Sequence, residues 1–497
     1  MEEDTDDESH EEEEDDEDAD EYTDDEDISW KVRRAAAKCL SAIIVSRPEM
    51  LSKLYGEACP KLIERFKERE ENVKMDVFNT FIELLRQTGT VTKGQIEINE
   101  LSPRWLLKQE VSKIIKSINR QLREKSVKTK VGAFSVLREL VVVLPDCLAD
   151  HIGTLVSGIE KALTESSNLK IEALIFTRLV MSSHSPSVFH PYIKVLSAPV
   201  LSAVGERYYK VTAEALRVCG ELVRVVRPNV AGVGFDYKPY VHPIYNAILT
   251  RLANQDQDQE VKECAISCMG LVISTFGDNL QAELPVCLPV LVDRMGNEIT
   301  RLTAVKAFAV IATSPLKINL SCVLDHLIAE LTAFLRKKEL IRTVDLGPFK
   351  HIVDDGLELR KAAFECVDTL LDSCLDQVNP STFIVPHLKS GLDDHYDVKM
   401  PCHLILSKLA DKCPAAVLAV LDSLVDPLQK TINYKPKLDA VKQEVDRNED
   451  MIRSALRAIS SLSRISGGDC SLKYKSLMSE IMKSPGLSDK YNTIHNE

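Results

Sequence analysis

An apolar residue, usually a Lys or Arg directly after it, and a small or apolar residue four positions on: this pattern recurs ten times along the chain. The copies begin at Val32, Val73, Val127, Leu169, Tyr209, Val261, Thr300, Leu359, Val398 and Ile452. They close at Ala36, Val77, Val131, Ala173, Ala213, Ala265, Ala304, Ala363, Cys402 and Leu456. Positions i and i+4 share one face of an α-helix, so each copy predicts a helix that turns the pair inward and sends the basic residue elsewhere. The small residue lets a neighbouring helix approach closely. Acidic or polar residues precede several copies, as in DISWKVRRAAAKCL, NQDQDQEVKECAISCM and DDHYDVKMPCHL, and suit a helix start. Between copies lies a Leu-richer helix type that often holds an early Pro, as in LPVCLPVLVDRM and VHPIYNAILTRL. Each period therefore predicts helix, turn, helix and short link.

Successive copies are 41, 54, 42, 40, 52, 39, 59, 39 and 54 residues apart, a base period near 40 with some enlarged intervals. That period belongs to HEAT or armadillo arrays. One helix pair cannot bury its apolar faces alone, whereas stacked pairs make a continuous core. The expected fold is all-α, a HEAT-repeat (armadillo-like) α-solenoid of roughly ten to eleven repeats with one β-hairpin insertion. Loop-forming Gly, Pro and polar residues fill the insertions at 88–104 and 227–240. The third insertion contains LIRTVDLGPFKHIVDDG, Leu340 to Gly356. Ile341, Thr343 and Val344 before Gly347-Pro348, and Phe349, Ile352 and Val353 after it, favour extended backbone. Gly347 and Pro348 force a reversal, so the stretch is expected to be a hairpin, with an irregular loop packed on the next repeat as the alternative. Asp354 and Asp355 are expected to cap the helix holding Leu359, Ala363 and Phe364. A lone hairpin is marginal in water, so it must lean on the array or on a partner.

Apolar residues make up 44 % of the chain and aromatics only 5 %, as expected where helices pack on helices. The formal charge of −14 is uneven: residues 1–28 hold 20 Asp or Glu and no Lys or Arg, leaving 62 basic against 56 acidic residues elsewhere. Such a block is expected to be a solvated, disordered acidic segment. The sharper reading is a strip that shields a basic surface or competes with an acidic partner. The 13 cysteines are scattered singly, without zinc-ligand spacing, and read as reduced core thiols; Cys264 and Cys268, one turn apart, lack His or Asp partners. No apolar run is long enough to span a bilayer, which points to a soluble chain in cytosol or nucleus.

Catalytic motifs are not found: no phosphate-binding loop, no nucleophile elbow and no His-Glu-x-x-His. Gly232-Val233-Gly234 is too short a glycine pattern, and His184 and His190 in HSPSVFHP read as turn residues. No catalytic, cofactor or metal residue is expected. Basic residues spread one or two per repeat, with few aromatics, argue against nucleic-acid binding. The repeated Lys or Arg reads as a solvated residue or as a ladder partner for a neighbouring acid. What remains is a long surface for another protein.

Several stretches closely resemble the cullin-associated, neddylation-dissociated proteins, also described as TATA-binding-protein-interacting proteins. They include RFKEREENVKMDVF (65–78), NEITRLTAVKAFAVIATSPLKINL (297–320) and KELIRTVDLGPFKHIVDDGLELRKAAFECVDTLLDSCLD (338–376). The resemblance implies a non-enzymatic HEAT solenoid of nucleus and cytoplasm that wraps an unneddylated cullin–RING core in competition with the substrate adaptor. It thereby promotes adaptor exchange on cullin-RING ubiquitin ligases. TATA-binding protein is the second implied partner, and a karyopherin-type receptor is the competing class. No cofactor, nucleic acid or membrane is implied. The implied partner-binding residues are those of the hairpin, Arg342, Val344, Leu346, Gly347, Pro348, Phe349, Lys350, His351 and Ile352. The chain resembles a shortened form, lacking the family's amino-terminal repeats and a central block, with the join around Arg336 to Lys338. The expected division is an acidic segment at 1–28, a HEAT block at 29–337, carboxy-terminal HEAT repeats with the hairpin at 338–485 and a flexible tail at 486–497.

Overall fold

The computed structural model describes residues 28–95, 99–229, 234–254, 258–336 and 341–497. Contacts divide the chain into two compact units, Met1–Cys147 and Leu148–Glu497. In the first, helices Ser29–Ser46, Glu71–Val91 and Val127–Val143 pack side by side. The shorter Leu51–Glu57 and Cys59–Glu64 helices and the long Pro103–Leu122 helix form a second layer. Between the layers Phe66 meets Phe78 and Phe81 edge-on, with ring centroids 5.3 and 5.1 Å apart.

The second unit repeats this plan. Helices Ser167–Ser183, Tyr209–Val226, Gln259–Phe276, Arg301–Ala312, Leu357–Ser373, Tyr396–Lys412, Lys442–Ser463 and Pro485–His495 form one layer, each packed on the next. A second layer, from Ile152–Ala162 to Leu472–Lys483, packs against it, and several of its helices carry an interior Pro: Pro199, Pro243, Pro289 and Pro427. All ten motif copies fall on a first-layer helix, nine of them at its start and Ile452 in the middle of Lys442–Ser463, which is why the period was visible in the sequence. Helices Arg301–Ala312 and Leu324–Leu335 both pack on Leu357–Ser373, so the core continues past the expected join. Close approach is built from small residues: a Cβ on Gly270 would lie 3.1 Å from the Cβ of Ala307 and 3.3 Å from its Cα.

The inward rule holds for Val73 and Val77, Leu169 and Ala173, Val261 and Ala265, Thr300 and Ala304, Val398 and Cys402, and Ile452 and Leu456, all buried. It fails at Val32 and Ala36, both exposed, in a helix packed on a first-layer neighbour from one side only among the described residues. In the Val127–Val143 helix the buried side is Thr129, Lys130 and Ala133 instead, and Tyr209 is exposed although Ala213 is buried. The largest departure is in the hairpin repeat, where Leu359 is half-buried and Arg360, expected to point away, is fully buried.

Two further expectations are corrected. Residues from 486 form no loose tail but the helix Pro485–His495, with Tyr491 buried, Lys490 paired to Glu449 at 2.8 Å and His495 Nδ1 2.7 Å from Ser460 Oγ. The helix Leu357–Ser373 has Gly356 as its N-cap and no side-chain cap from that residue; Asp354 Oδ1 accepts from Gly356 N at 3.2 Å, just before the helix, and from Arg360 Nη1 at 2.9 Å. The acidic block lies outside the described residues up to residue 27, as do Gly232 and Val233 of the short glycine pattern.

Candidate functional site

The third insertion is a two-stranded antiparallel hairpin, β1 (Ile341–Leu346) and β2 (Phe349–Asp354), in register Leu346↔Phe349 through Ile341↔Asp354. Only Gly347 and Pro348 connect the strands, and Gly347 has φ +67°, a left-handed conformation that glycine adopts without strain. Gly at the first central position of a two-residue loop is the arrangement whose twist matches the flanking strands. The β-branched residues on either side supply the rest of the extended preference.

Alternation places Arg342, Val344, Phe349, His351 and Val353 on one face, and Thr343, Asp345, Lys350, Ile352 and Asp354 on the other. Leu346 belongs by register to the first face, but its side chain lies outside the described residues. Neither face is covered. Phe349 is 67 % exposed and Ile352, on the opposite side, 77 %. Arg342, Gly347, Pro348, Lys350 and His351 are exposed as well, and Val344 is half-buried. The structure therefore brings the expected site residues together on one projecting element.

What holds so exposed a hairpin is its base. Arg342 Nε donates to Asp355 at 2.8 Å. Arg360, one turn into the following helix and 0 % exposed, donates from Nη1 and Nη2 to both oxygens of Asp354, at 2.9 and 2.5 Å. The same guanidinium donates from Nε and Nη2 to both oxygens of Asp394, at 2.9 and 3.0 Å, in the turn before the next first-layer helix. A planar fork with five donors is the one side chain that can clamp two carboxylates this way. The hydrogen bond to Asp354, aided by that to Asp394, raises the Arg360 pKa above the usual arginine value against the effect of burial. Reciprocally, the bond to Arg360 holds the Asp354 carboxyl below its ordinary value. Sequence reading missed Arg360 as a site residue. The available signal was an acid just before the helix and another 34 positions on, the same spacing that joins Arg33 to Glu68 (35) and Lys170 to Glu206 (36).

No group of three metal-ligating side chains is found among the described residues. Cys268 is buried, its thiol pushed up by burial, and Cys264 is half-buried with its thiol likewise raised. His184 accepts from Leu148 N through Nε2 at 2.9 Å, with Nδ1 2.9 Å from Val180 O, and His190 stacks on Phe235; both act in a turn. No described helix is long and apolar enough to cross a membrane.

Two packed layers of helix pairs with a period near 40 define a HEAT-repeat solenoid. Solved structures agree on the fold alone: the karyopherin Kap121p matches with TM-score 0.60 at 13 % identity, covering 95 % of this chain and 47 % of that one. Yeast importin-beta (Kap95p) matches with TM-score 0.55 at 16 % identity, covering 91 % and 53 %. The chain belongs to the family of the cullin-associated NEDD8-dissociated proteins. Protein 1 of Arabidopsis thaliana is 45 % identical over 905 residues, taking in all of this chain and 74 % of the relative. That alignment is longer than this 497-residue chain, so it leaves part of the relative unmatched, as a shortened form requires. The Drosophila melanogaster protein 1 is 44 % identical over 63 % of this chain, and the Dictyostelium discoideum one 37 % over 80 %. The chain spans only 26 % and 32 % of those two relatives. Residues 316–483 match the family described as TATA-binding protein interacting (TIP20), and residues 146–269 one described as CAND1-like, TPR repeats.

Proposed function

We infer that this chain is a non-enzymatic, cullin-binding regulator of cullin-RING ubiquitin ligases, acting in nucleus and cytoplasm. It engages the unneddylated cullin–RING core and promotes adaptor exchange, with the hairpin entering the place the adaptor would fill. The observation that carries the reading is the hairpin itself, exposed on both faces yet clamped at its base by a buried arginine. An element presenting Phe349 and Ile352 to water gains stability when a partner covers them. The relatives' names supply the partner class.

The purified chain is expected to co-elute with an unneddylated cullin–RING pair in the absence of adaptor; no co-elution with or without adaptor refutes the reading. Deleting Arg342 to Ile352 should leave helical circular dichroism unchanged while abolishing adaptor displacement, and undiminished displacement would remove the hairpin from the mechanism. A second reading, binding of the TATA-binding protein, is favoured by the family description matched at residues 316–483, which include the hairpin. A pull-down retaining that factor and no cullin would select it.

A further inference from the structure

The acidic block at residues 1–28 finds no use in the cullin reading, and neither does a strongly basic helix face in the same compact unit. On helix Pro103–Leu122 and its C-cap, Lys108, Lys113, Lys116, Arg120 and Arg123 are all exposed. At 100° per residue they fall, with the exposed Gln109 and Ser112, within an arc of about 140°, and at 1.5 Å per residue they extend over about 22 Å. No acidic residue lies on that arc. Lys113 touches Glu110 at 3.7 Å from the edge of the face; Lys108, Lys116, Arg120 and Arg123 have no ion pair among the described residues. Elsewhere Arg33, Arg34, Arg86, Lys170, Arg217 and Arg227 are each paired with an acid.

We propose that this face of helix Pro103–Leu122 is the docking surface for the chain's own acidic block, residues 1–28, bound in cis. Charge complementarity is the first argument: residues 1–28 hold 20 carboxylates and no Lys or Arg, and the face holds five cations, of which only Lys113 touches an acid among the described residues. Reach is the second. Residues 1–27 lead directly into the helix Ser29–Ser46 of the same unit. A chain of that length has a root-mean-square span of about 30 Å, while a folded body of this size has a radius of gyration of about 14 Å. The helix face is thus within the tether's ordinary range. The tether raises the local concentration of the block to the millimolar range, so contacts that are weak one by one hold it there at low salt. Its consequence is regulatory: an acidic partner must displace the block before it can use this face.

The test uses the full chain and a carbodiimide, which joins a carboxylate to a nearby amine through an amide bond and is itself converted to the urea. Peptide mapping should show links from residues 1–27 to Lys108, Lys113 and Lys116 at least tenfold above those to the exposed Lys93 and Lys475, and a tenfold loss in 0.5 M salt. In the triple variant Lys108→Glu, Lys116→Glu, Arg120→Glu, the remaining link to Lys113 should fall tenfold with unchanged circular dichroism. Links spread evenly over exposed lysines, an undiminished Lys113 link in the variant, or links between chains that vanish on dilution would each overturn docking in cis.

Discussion

Lys170 and Arg360 occupy the same position of the repeat, directly after the apolar residue that opens a first-layer helix, and both reach the turn before the next one. Lys170, with a side chain 16 % exposed, makes one contact, to Glu206 at 2.6 Å. Arg360, 0 % exposed, makes four hydrogen bonds to two carboxylates, and only one of these, Asp394, corresponds to Glu206. The other, Asp354, is the last residue of β2. The difference teaches how an insertion is tied to an array: the hairpin has been wired into a rung of the ladder that already joined one repeat to the next. The second carboxylate also explains why this rung uses arginine and can be buried, since a two-pronged fork satisfies both acids where an ammonium would satisfy one.

Replacing Arg360 with Met is the strongest way to break the comparison. It leaves Asp354 and Asp394 without their shared counter-ion, and loss of one partner from a buried ion cluster costs about 3 kcal/mol or more. Denaturant unfolding should show this loss together with faster amide exchange throughout 341–354; an unchanged midpoint would reduce the clamp to decoration. Asp354→Asn separates the two functions of the arginine. It should cost about 1–2 kcal/mol, with faster exchange in β1 and β2 and undisturbed exchange in the Tyr396–Lys412 helix. The pH dependence has a definite sign. Because the folded Asp354 carboxyl titrates below its unfolded value, its stabilisation is complete above about pH 4 and lost as pH falls below that through the folded value. The Asn variant should lack that acid-side loss, measured as the difference in unfolding midpoint between pH 5 and pH 3. Lys170→Met should matter least, about 0.5 kcal/mol, as for a partly exposed pair; a loss equal to that at Arg360 would show that the two rungs are energetically alike.

The helical array was legible because its signal is redundant. Ten copies at a recurrent spacing survive individual failures such as Val32 or Val127, both exposed. The hairpin was legible for a different reason: β-branched runs around Gly347-Pro348 leave helix unavailable. The clamp was not legible, because a rule that sends every motif Lys or Arg outward has no means to see a second acid arriving from the preceding insertion. Asp354 was read as a cap by position, and it does accept from Gly356 N just before the helix, but both its oxygens are also taken by the guanidinium of Arg360 six residues on. The terminal helix was missed although Ser484 followed by Pro485 is a helix-start signal, since in the polar sequence PGLSDKYNTIH only Tyr491 is buried.

In this two-stranded sheet β1 and β2 are both edges, and each presents a ladder of backbone donors and acceptors that no third strand occupies among the described residues. Unprotected edges of this kind invite pairing with another copy of the same chain. Here Asp345 stands opposite Lys350 next to the turn, and Arg342 and Asp354 stand near the base. Charges at both ends of so short a ribbon disfavour stacking of one hairpin against another, so the element can remain in water, uncovered, without seeding aggregation.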